Sequence, residues 1–486
     1  MILSDLLKDV EIKDVQGNID MNVSGIAFDS SKVKPGDVFV CIVGFKTDGH
    51  SYALDALERG AVAIIAQRKI ENTAATTVIV DDTRNALSKA AAALYGYPFK
   101  KFTLIGVTGT NGKTTSTYLI KSILESCGKK VGLIGTNQNM IGTAVLPSHH
   151  TTPDALELME LFSRMAKEGV DAVVMEVSSH SLALDRVAAC EFDVAAYTNV
   201  TQDHLDFHKT MDNYIEAKSI LFTQAKRGAL NKDDSAFEKI KSRSTCEIMT
   251  YGKDGGCDLT AKNVVYGASG VKFDMCLGER CVETSLAIPG EFSVYNALTA
   301  ASCCILAGLS LEETADGLKT AKGVKGRIEV VDVPRDYTVI IDYAHTPDGL
   351  LNILKTIRGF AKSRIVTVFG CGGDRDKTKR PKMGKIAGEL SDYCVVTSDN
   401  PRSEEPMAII NDILEGISQT NCEYKVIENR FEAIEYAIDN AKAGDIILLA
   451  GKGHETYQIL KDRTITFDER EIVLKLVSSV EERQSI

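Results

Sequence analysis

The stretch Thr108-Gly109-Thr110-Asn111-Gly112-Lys113-Thr114-Thr115 constrains this chain more than any other. It follows an apolar run, residues 102–107, that reads as a buried strand, and it precedes residues 117–124, which read as helix. A glycine-rich turn between strand and helix points several backbone N–H groups at one place. The helix N-terminus adds partial positive charge there, and Lys113 adds a full one. Such a turn binds the phosphates of a nucleotide, and Thr114 or Thr115 can offer a hydroxyl to the accompanying magnesium ion. Val107 stands where the common form of this loop has its first glycine. A plain turn carrying one surface lysine would leave the paired threonines unexplained.

At 486 residues the chain exceeds one ordinary core, so several domains are expected. Lys plus Arg number 56 against 67 Asp plus Glu, a net charge of −11. That balance argues against broad nucleic-acid binding, so an anionic ligand must be held by local clusters. The N-terminus meets acid and base too early for a signal peptide. The longest low-polarity run, residues 297–309, is too short to span a bilayer and suits a buried helix. The twelve cysteines show no C-x-x-C spacing, so neither a zinc site nor a disulfide framework is expected. Cys41 and Cys394 lie in apolar runs and read as buried reduced thiols, which implies a cytoplasmic location and no membrane partner.

Three segments follow. Residues 1–100 read as a small α/β unit, with strands near 38–43 and 61–66 and a short helix at 52–59 that Gly60 stops. Residues 95–98 read as a linker. Residues 101–327 alternate strands (102–107, 172–177, 194–198) with helices. One helix begins at Thr152-Pro153, with Thr152 as N-cap and Leu158, Phe162 and Met165 on one face. Residues 328–486 carry strands near 338–341, 364–369, 393–397 and 445–450, whose Val/Ile/Leu content predicts a covered parallel sheet. Four polar clusters follow these strands, at 342–345, 373–376, 399–402 and 451–455. Ligands in such sheets bind at the C-terminal strand ends.

Glu176 closes a strand beside the phosphate loop and is placed to hold Mg²⁺. His204 lies in a segment with two histidines and two aspartates, and serves as a candidate second metal ligand. Lys218, in the helix-like run 214–222, reads from composition alone as a surface lysine.

Taken together these stretches resemble the Mur ligase family, ATP-dependent ligases that build the peptidoglycan stem peptide. The resembling residues are the loop 108–115, Glu176-Val177-Ser178-Ser179-His180, Thr198-Asn199-Val200 with Asp203-His204, and Ala217-Lys218. They continue through Gly326-Arg327, the run Asp342 to Asp348, and Gly451 to Glu455. The resemblance implies three α/β domains: a small N-terminal UDP-binding domain (1–100), a central P-loop-type parallel-sheet ATPase domain (101–327) and a C-terminal Rossmann-like domain that takes the amino acid (328–486). It implies that ATP phosphorylates a carboxylate, that an amine attacks the acyl phosphate, and that phosphate leaves behind an amide. Thr108, Gly109, Thr110, Asn111, Gly112, Lys113, Thr114, Asn296, Arg327 and Asp342 would contact ATP. Thr114, Thr115, Glu176, His204 and Lys218, the last carbamylated by CO₂, would hold two Mg²⁺ ions. Lys113, Lys218 and His204 would be catalytic. Ser293 stands where many members carry asparagine.

Within the family the resemblance is nearest to members that add meso-2,6-diaminopimelate to UDP-N-acetylmuramoyl-L-alanyl-D-glutamate. Ser30, Thr151, Thr152, Ser178 and Arg186 would contact the UDP-linked substrate. Arg375, Asp399, Asn400, Pro401, Arg402, Gly451 and Glu455 would hold the diaminopimelate. The far carboxylate of diaminopimelate, absent from lysine, suits a planar guanidinium, for which Arg402 is the candidate. The competing readings are an L-lysine-adding relative, folylpolyglutamate synthetase, and a P-loop NTPase that switches partner binding. The family implies a monomer.

Overall fold

The computed structural model describes residues 1–148 and 150–484. They form two compact units, Met1–Thr260 with Leu298–Thr314, and Ala261–Ala297 with Ala315–Ile486.

The first unit holds two sheets. The smaller contains β1 (Ile12–Gln16), β2 (Gly25–Ala27), β3 (Asp37–Val40), β4 (Ala63–Ala66) and β5 (Thr76–Val80), in the order β1-β5-β4-β3-β2. β3 and β4 are buried throughout, and apart from Asp37 both are wholly apolar, as befits strands covered on both faces. Asp82 caps the helix Thr83–Leu94 by accepting from Arg84 N and Asn85 N. The expected helix at 52–59 is shorter, Ala53–Glu58, and a 3₁₀ turn, Gly49–Tyr52, precedes it. The expected linker at 95–98 runs into another 3₁₀ turn, Pro98–Lys101.

The larger sheet is built on β6 (Thr103–Thr108), β7 (Val131–Ile134), β8 (Asn139–Ile141), β9 (Ala144–Leu146), β10 (Ala172–Glu176), β11 (Phe192–Tyr197), β12 (Ala225–Asn231) and β13 (Glu247–Gly252). β6 lies between β10 and β11, parallel to both. Reversal of winding at that point leaves a crevice beyond the carboxyl ends of these three strands. Thr108, Glu176 and Thr198 all lie there. β8 and β9 close one edge as an antiparallel meander.

The helix expected from Thr152 begins later, as Ala155–Lys167. Asp154 is its N-cap, accepting from Leu156 N and Glu157 N. Leu158, Phe162 and Met165 do share its buried face. Thr152 instead gives its hydroxyl to the end of β10: it donates to Glu176 O at 2.9 Å and accepts from Ser178 N at 3.1 Å. A tertiary partner displaced the local cap.

β14 (Leu259–Gly267) pairs with β13 through Leu259 and Thr260. In the second unit β15 (Gly270–Leu277) and β16 (Arg280–Leu286) form an antiparallel hairpin that places Cys276 opposite Cys281. These two cysteines are joined in a disulfide. The spacing rule missed this pair because directly opposed hairpin positions have no fixed sequence signature. Cys41 and Cys394 are buried thiols, as expected, and burial pushes the Cys41 thiol up to about 12. The low-polarity run lies in the helix Glu291–Leu306 except for its last three residues, which follow it. Among the described residues no helix is long and apolar enough to cross a membrane.

The remaining sheet comprises β17 (Glu329–Val331), β18 (Thr338–Asp342), β19 (Ile365–Phe369), β20 (Tyr393–Val396), β21 (Glu423–Val426) and β22 (Ile446–Ala450). Its order is β17-β18-β22-β19-β20-β21, parallel except for β17. Helices cover both faces, with Ile353, Ile357 and Ile410 packed on one and Ile434 and Val473 on the other. β22 sits between β18 and β19, so the loops after these strands converge. A short hairpin, β23 (Tyr457–Ile459) with β24 (Thr464–Thr466), follows.

Candidate active site

Gly112 starts the helix Lys113–Ser126 with φ of 85°, and no side chain caps that helix. Its first N–H groups are therefore not satisfied by a cap, which is the form a phosphate cradle takes. Gly109 has φ of 148°, and a Cβ there would fall 1.8 Å from Thr198 Oγ1. Lys113 folds back over the loop, donating to Gly109 O at 2.8 Å and Thr110 O at 2.9 Å. The loop is anchored by the segment after β11. Thr110 N donates to Asn199 O, Asn111 N to Asn199 Oδ1, and Thr198 Oγ1 to Asn111 O.

Beside it, Glu176 is buried. Thr114 Oγ1 donates to Glu176 Oε1 at 3.0 Å, and Thr136 donates to the carboxylate through both N and Oγ1. Thr136 Oγ1 lies 3.0 Å from Thr151 Oγ1, and Arg186 Nη1 donates to Thr152 O at 2.8 Å. Thr151, Thr152, Ser178 and Arg186 thus form one polar network with Glu176 and the phosphate loop. Thr136 is the member sequence reasoning missed, because an isolated threonine just after a strand carries no motif. Ser30 stands apart from this network, in the turn Ser30–Lys32, where its hydroxyl helps hold the Asp55 carboxyl below its usual range.

Lys218, which composition placed on the surface, is 1 % exposed. It lies in the helix Met211–Ser219, with Nζ 4.4 Å from the Tyr214 ring centroid. Burial, and secondarily the Lys113 charge, hold its amine well below the usual lysine range, while Asp203 opposes them. Tyr214 OH lies 3.1 Å from Thr110 Oγ1, which joins this helix to the phosphate loop. His204, at φ of 53°, packs its ring 4.8 Å from that of His180 and 6.2 Å from that of Tyr214. Its Nε2 is 3.4 Å from Asp203 Oδ2. Thr115 is half-buried on the first helical turn.

A buried carboxylate and a threonine hydroxyl in contact beside a phosphate cradle are the hard oxygen donors that Mg²⁺ takes. Among the described residues no three His, Cys, Asp or Glu side chains are grouped to hold a metal. This donor set therefore fits an ion that draws most of its shell from phosphate and water.

The second unit carries two further clusters. Asp342, at the end of β18, accepts from Ala344 N and Ile328 N at 2.9 and 2.8 Å. Burial raises its carboxyl, and the Arg327 charge opposes the rise. The Arg327 guanidinium lies over the Tyr343 ring at 5.1 Å. Among the described residues Arg327 Nε is buried without a hydrogen-bond partner, as is Nδ1 of His454, whose ring is 4.8 Å from that of Tyr343. Asn296 lies half-buried on the helix Glu291–Leu306. Ser293, on the same helix, donates to Pro289 O at 2.8 Å.

The other cluster gathers the loops after β19, β20 and β22. Gly373 N donates to Asn400 O, and Arg402 Nη1 donates to Gly373 O at 2.9 Å. A Cβ on Gly372 would lie 2.9 Å from Arg402 Nη1 and 3.9 Å from Arg375 Cγ, so both arginines flank that glycine. A Cβ on Gly373 would meet Pro401 O, and one on Gly451 would lie 2.7 Å from Asp399 Oδ2. Asn400 Nδ2 donates to Glu455 Oε2 at 2.9 Å. Arg375, Asp399, Asn400, Pro401, Arg402, Gly451 and Glu455 are therefore brought together, from three separate loops.

Family models match three consecutive segments: "Mur ligase family, catalytic domain" at residues 22–95, "Mur ligase middle domain" at 107–304, and "Mur ligase, glutamate ligase domain" at 326–453. The chain belongs to the Mur ligase family. It is 51% identical over 483 residues to UDP-N-acetylmuramoyl-L-alanyl-D-glutamate–2,6-diaminopimelate ligase of Caldanaerobacter subterraneus, covering 99% of this chain and 100% of that one. It is 49% identical to the ligase of the same name from Clostridium botulinum, again over 99% and 100% of the two chains. A solved structure of a ligase of that name superposes with a TM-score of 0.77 at 30% identity, covering 99% of each chain. The expected family and its three-domain α/β architecture are borne out.

Proposed function

We propose that this Mur ligase uses ATP to join meso-2,6-diaminopimelate to the D-glutamate carboxylate of UDP-N-acetylmuramoyl-L-alanyl-D-glutamate. The relatives of that name are similar along the whole chain. The observation that carries the choice of amino acid is the single cluster uniting Arg402, Arg375, Asn400 and Glu455. Two guanidinium groups suit the second carboxylate of diaminopimelate, and Glu455 suits an ammonium. Lysine would leave Arg402 without its partner, an omission that discriminates strongly.

A carboxylate has no leaving group, so it is first phosphorylated. A carboxylate oxygen takes the γ-phosphoryl group and ADP departs. The amine, having lost a proton, attacks the carbonyl carbon of the acyl phosphate. The tetrahedral intermediate expels inorganic phosphate and leaves the amide. Phosphoryl transfer needs alignment and charge neutralisation more than covalent help. Lys113, folded over the loop, and the uncapped helix N-terminus supply both. The loop 108–114 receives the triphosphate, and Asn296, Arg327 and Asp342 receive the rest of ATP. Ser30, Thr151, Thr152, Ser178 and Arg186 receive the UDP-linked dipeptide.

Mg²⁺ at Thr114, Thr115 and Glu176, and a second ion at His204 and a carbamylated Lys218, would neutralise the phosphate charge. The Lys218 amine fits that modification: only an uncharged amine adds CO₂, giving a carbamate and releasing one proton. The nearby cation of Lys113 favours the resulting anion.

Incubation with ATP, the UDP-dipeptide and either diaminopimelate or L-lysine, read by product mass, tests the reading. Product with diaminopimelate supports it. Product with lysine alone supports the lysine-adding alternative, and ATP hydrolysis without either substrate supports a nucleotide switch. Arg402→Ala is expected to cut kcat/KM for diaminopimelate at least ~100-fold, with KM for ATP and UDP-dipeptide little changed. Unchanged ligation kinetics in that variant would sink the assignment.

A further inference from the structure

Lys452 follows β22 and is fully buried. Its Nζ donates to Asn400 Oδ1 at 3.1 Å and to Glu455 Oε2 at 3.2 Å. Asn400 Nδ2 donates to the same Glu455 oxygen at 2.9 Å, which closes a triangle of three side chains. Ile459 N also donates to Asn400 Oδ1, at 2.9 Å. The three contacts that involve Asn400 fix its amide's orientation: its oxygen faces donors, and its NH₂ faces the carboxylate. Both contacts to the Glu455 carboxylate are made through Oε2, and among the described residues Oε1 accepts none.

An ammonium is costly to bury unless it is paired and hydrogen-bonded, and an apolar side chain would fill the space more simply. The surrounding charges give the lysine a use. Arg430 Nε donates to Glu469 Oε1 at 2.8 Å, and Arg430 Nη1 lies 4.0 Å from Asp399 Oδ2. Asp399, Glu455 and Glu469 are three carboxylates, against two cations in Arg430 and Lys452. With all of them ionised the cluster keeps one negative charge; Glu469 Oε2 is also unengaged among the described residues, but on a fully buried side chain, whereas Glu455 is the partly exposed carboxylate.

We propose that Lys452 is a positioning residue for the incoming amino acid. By holding Glu455 through Oε2, it presents Oε1 as one oriented acceptor for the far ammonium group of the substrate. This rests on the reading of the amino-acid site given above.

The test compares diaminopimelate with 2-aminopimelate, which lacks the far ammonium group. Wild-type enzyme that forms no product with diaminopimelate would sink the functional reading itself, whatever the variants do. Lys452→Met and Lys452→Gln are each measured; both remove the charge, and Gln keeps a donor. The expected result is a KM for diaminopimelate raised about tenfold or more, kcat and KM for ATP within roughly threefold, and a collapsed preference over 2-aminopimelate. In a Glu455→Gln background, Lys452→Met is expected to change that preference no further, since the lysine acts through the carboxylate. A preserved preference in a folded Lys452 variant, or full additivity with Glu455→Gln, overturns the proposal. Melting curves decide which variants are folded; if neither is, Lys452 is a folding residue and the positioning role falls.

Discussion

Lys218 shows how far one residue can depart from its compositional expectation. A lysine in a helix is ordinarily solvated, because burying an unpaired ammonium is costly. Here it is buried with Lys113 nearby, and both the burial and that like charge disfavour its charged form. The proposed carbamate makes this expensive arrangement useful. Wild-type protein incubated with ¹³C-labelled CO₂ is expected to show a carbamate resonance that Lys218→Ala lacks. Lys218→Ala should also lose most activity, with partial return on adding a short carboxylate; full activity without rescue would refute the role. Thr152 is the complementary case. Its N-cap chemistry was visible in sequence, but its hydroxyl serves the end of β10 instead. Local propensity proposes a partner, and the tertiary neighbourhood decides among them.

At the scale of elements, the strands with unbroken Val/Ile/Leu content were legible to within a residue or two. β6, β10, β18, β19 and β22 lie where the apolar runs place them. The hairpin β15–β16 was not legible, because its alternating burial mixes polar and apolar residues, and neither was the Cys276–Cys281 bridge across it. The loops that carry the amino-acid cluster are held by an ion-pair clamp that no motif announced. Arg380, fully buried, donates through Nη1 and Nη2 to both oxygens of Glu404, and Glu404 Oε1 also accepts from Asp374 N at 2.6 Å. The Arg380 hydrogen bonds, foremost, hold the Glu404 carboxyl down at about 2. A carboxyl depressed in the folded state contributes stability that is present above its unfolded value and lost as pH falls through its folded one. Glu404→Gln is therefore expected to lower stability by ~2 kcal/mol near neutral pH. The gap to wild type should close as pH drops from about 4.5 toward 2. Denaturation curves across that range check it, and a gap independent of pH would refute the linkage.

The whole molecule carries a net charge of −11, yet two of its proposed substrates, ATP and the UDP-dipeptide, are anions. Local cations bind them at close range, while the long-range field repels them. Raising salt from low ionic strength at fixed Mg²⁺ is thus expected to increase kcat/KM for the UDP-dipeptide up to a few-fold, as screening relieves the repulsion. A steep fall would mean that the local cations dominate the approach.

The sequence by itself determined the phosphate loop, the α/β class and the polar strand ends. These depend on neighbours in the chain: a glycine that must take positive φ, a helix that must begin there, and apolar runs that must be covered. Only the tertiary structure decided which strand ends meet. It joined Thr136 and Thr152 to Glu176, buried Lys218 against Tyr214, and locked Asn400, Lys452 and Glu455 into one triangle. Burial and hydrogen bonding between residues dozens of positions apart depend on the order of strands in a sheet, and that order is not written in any local pattern.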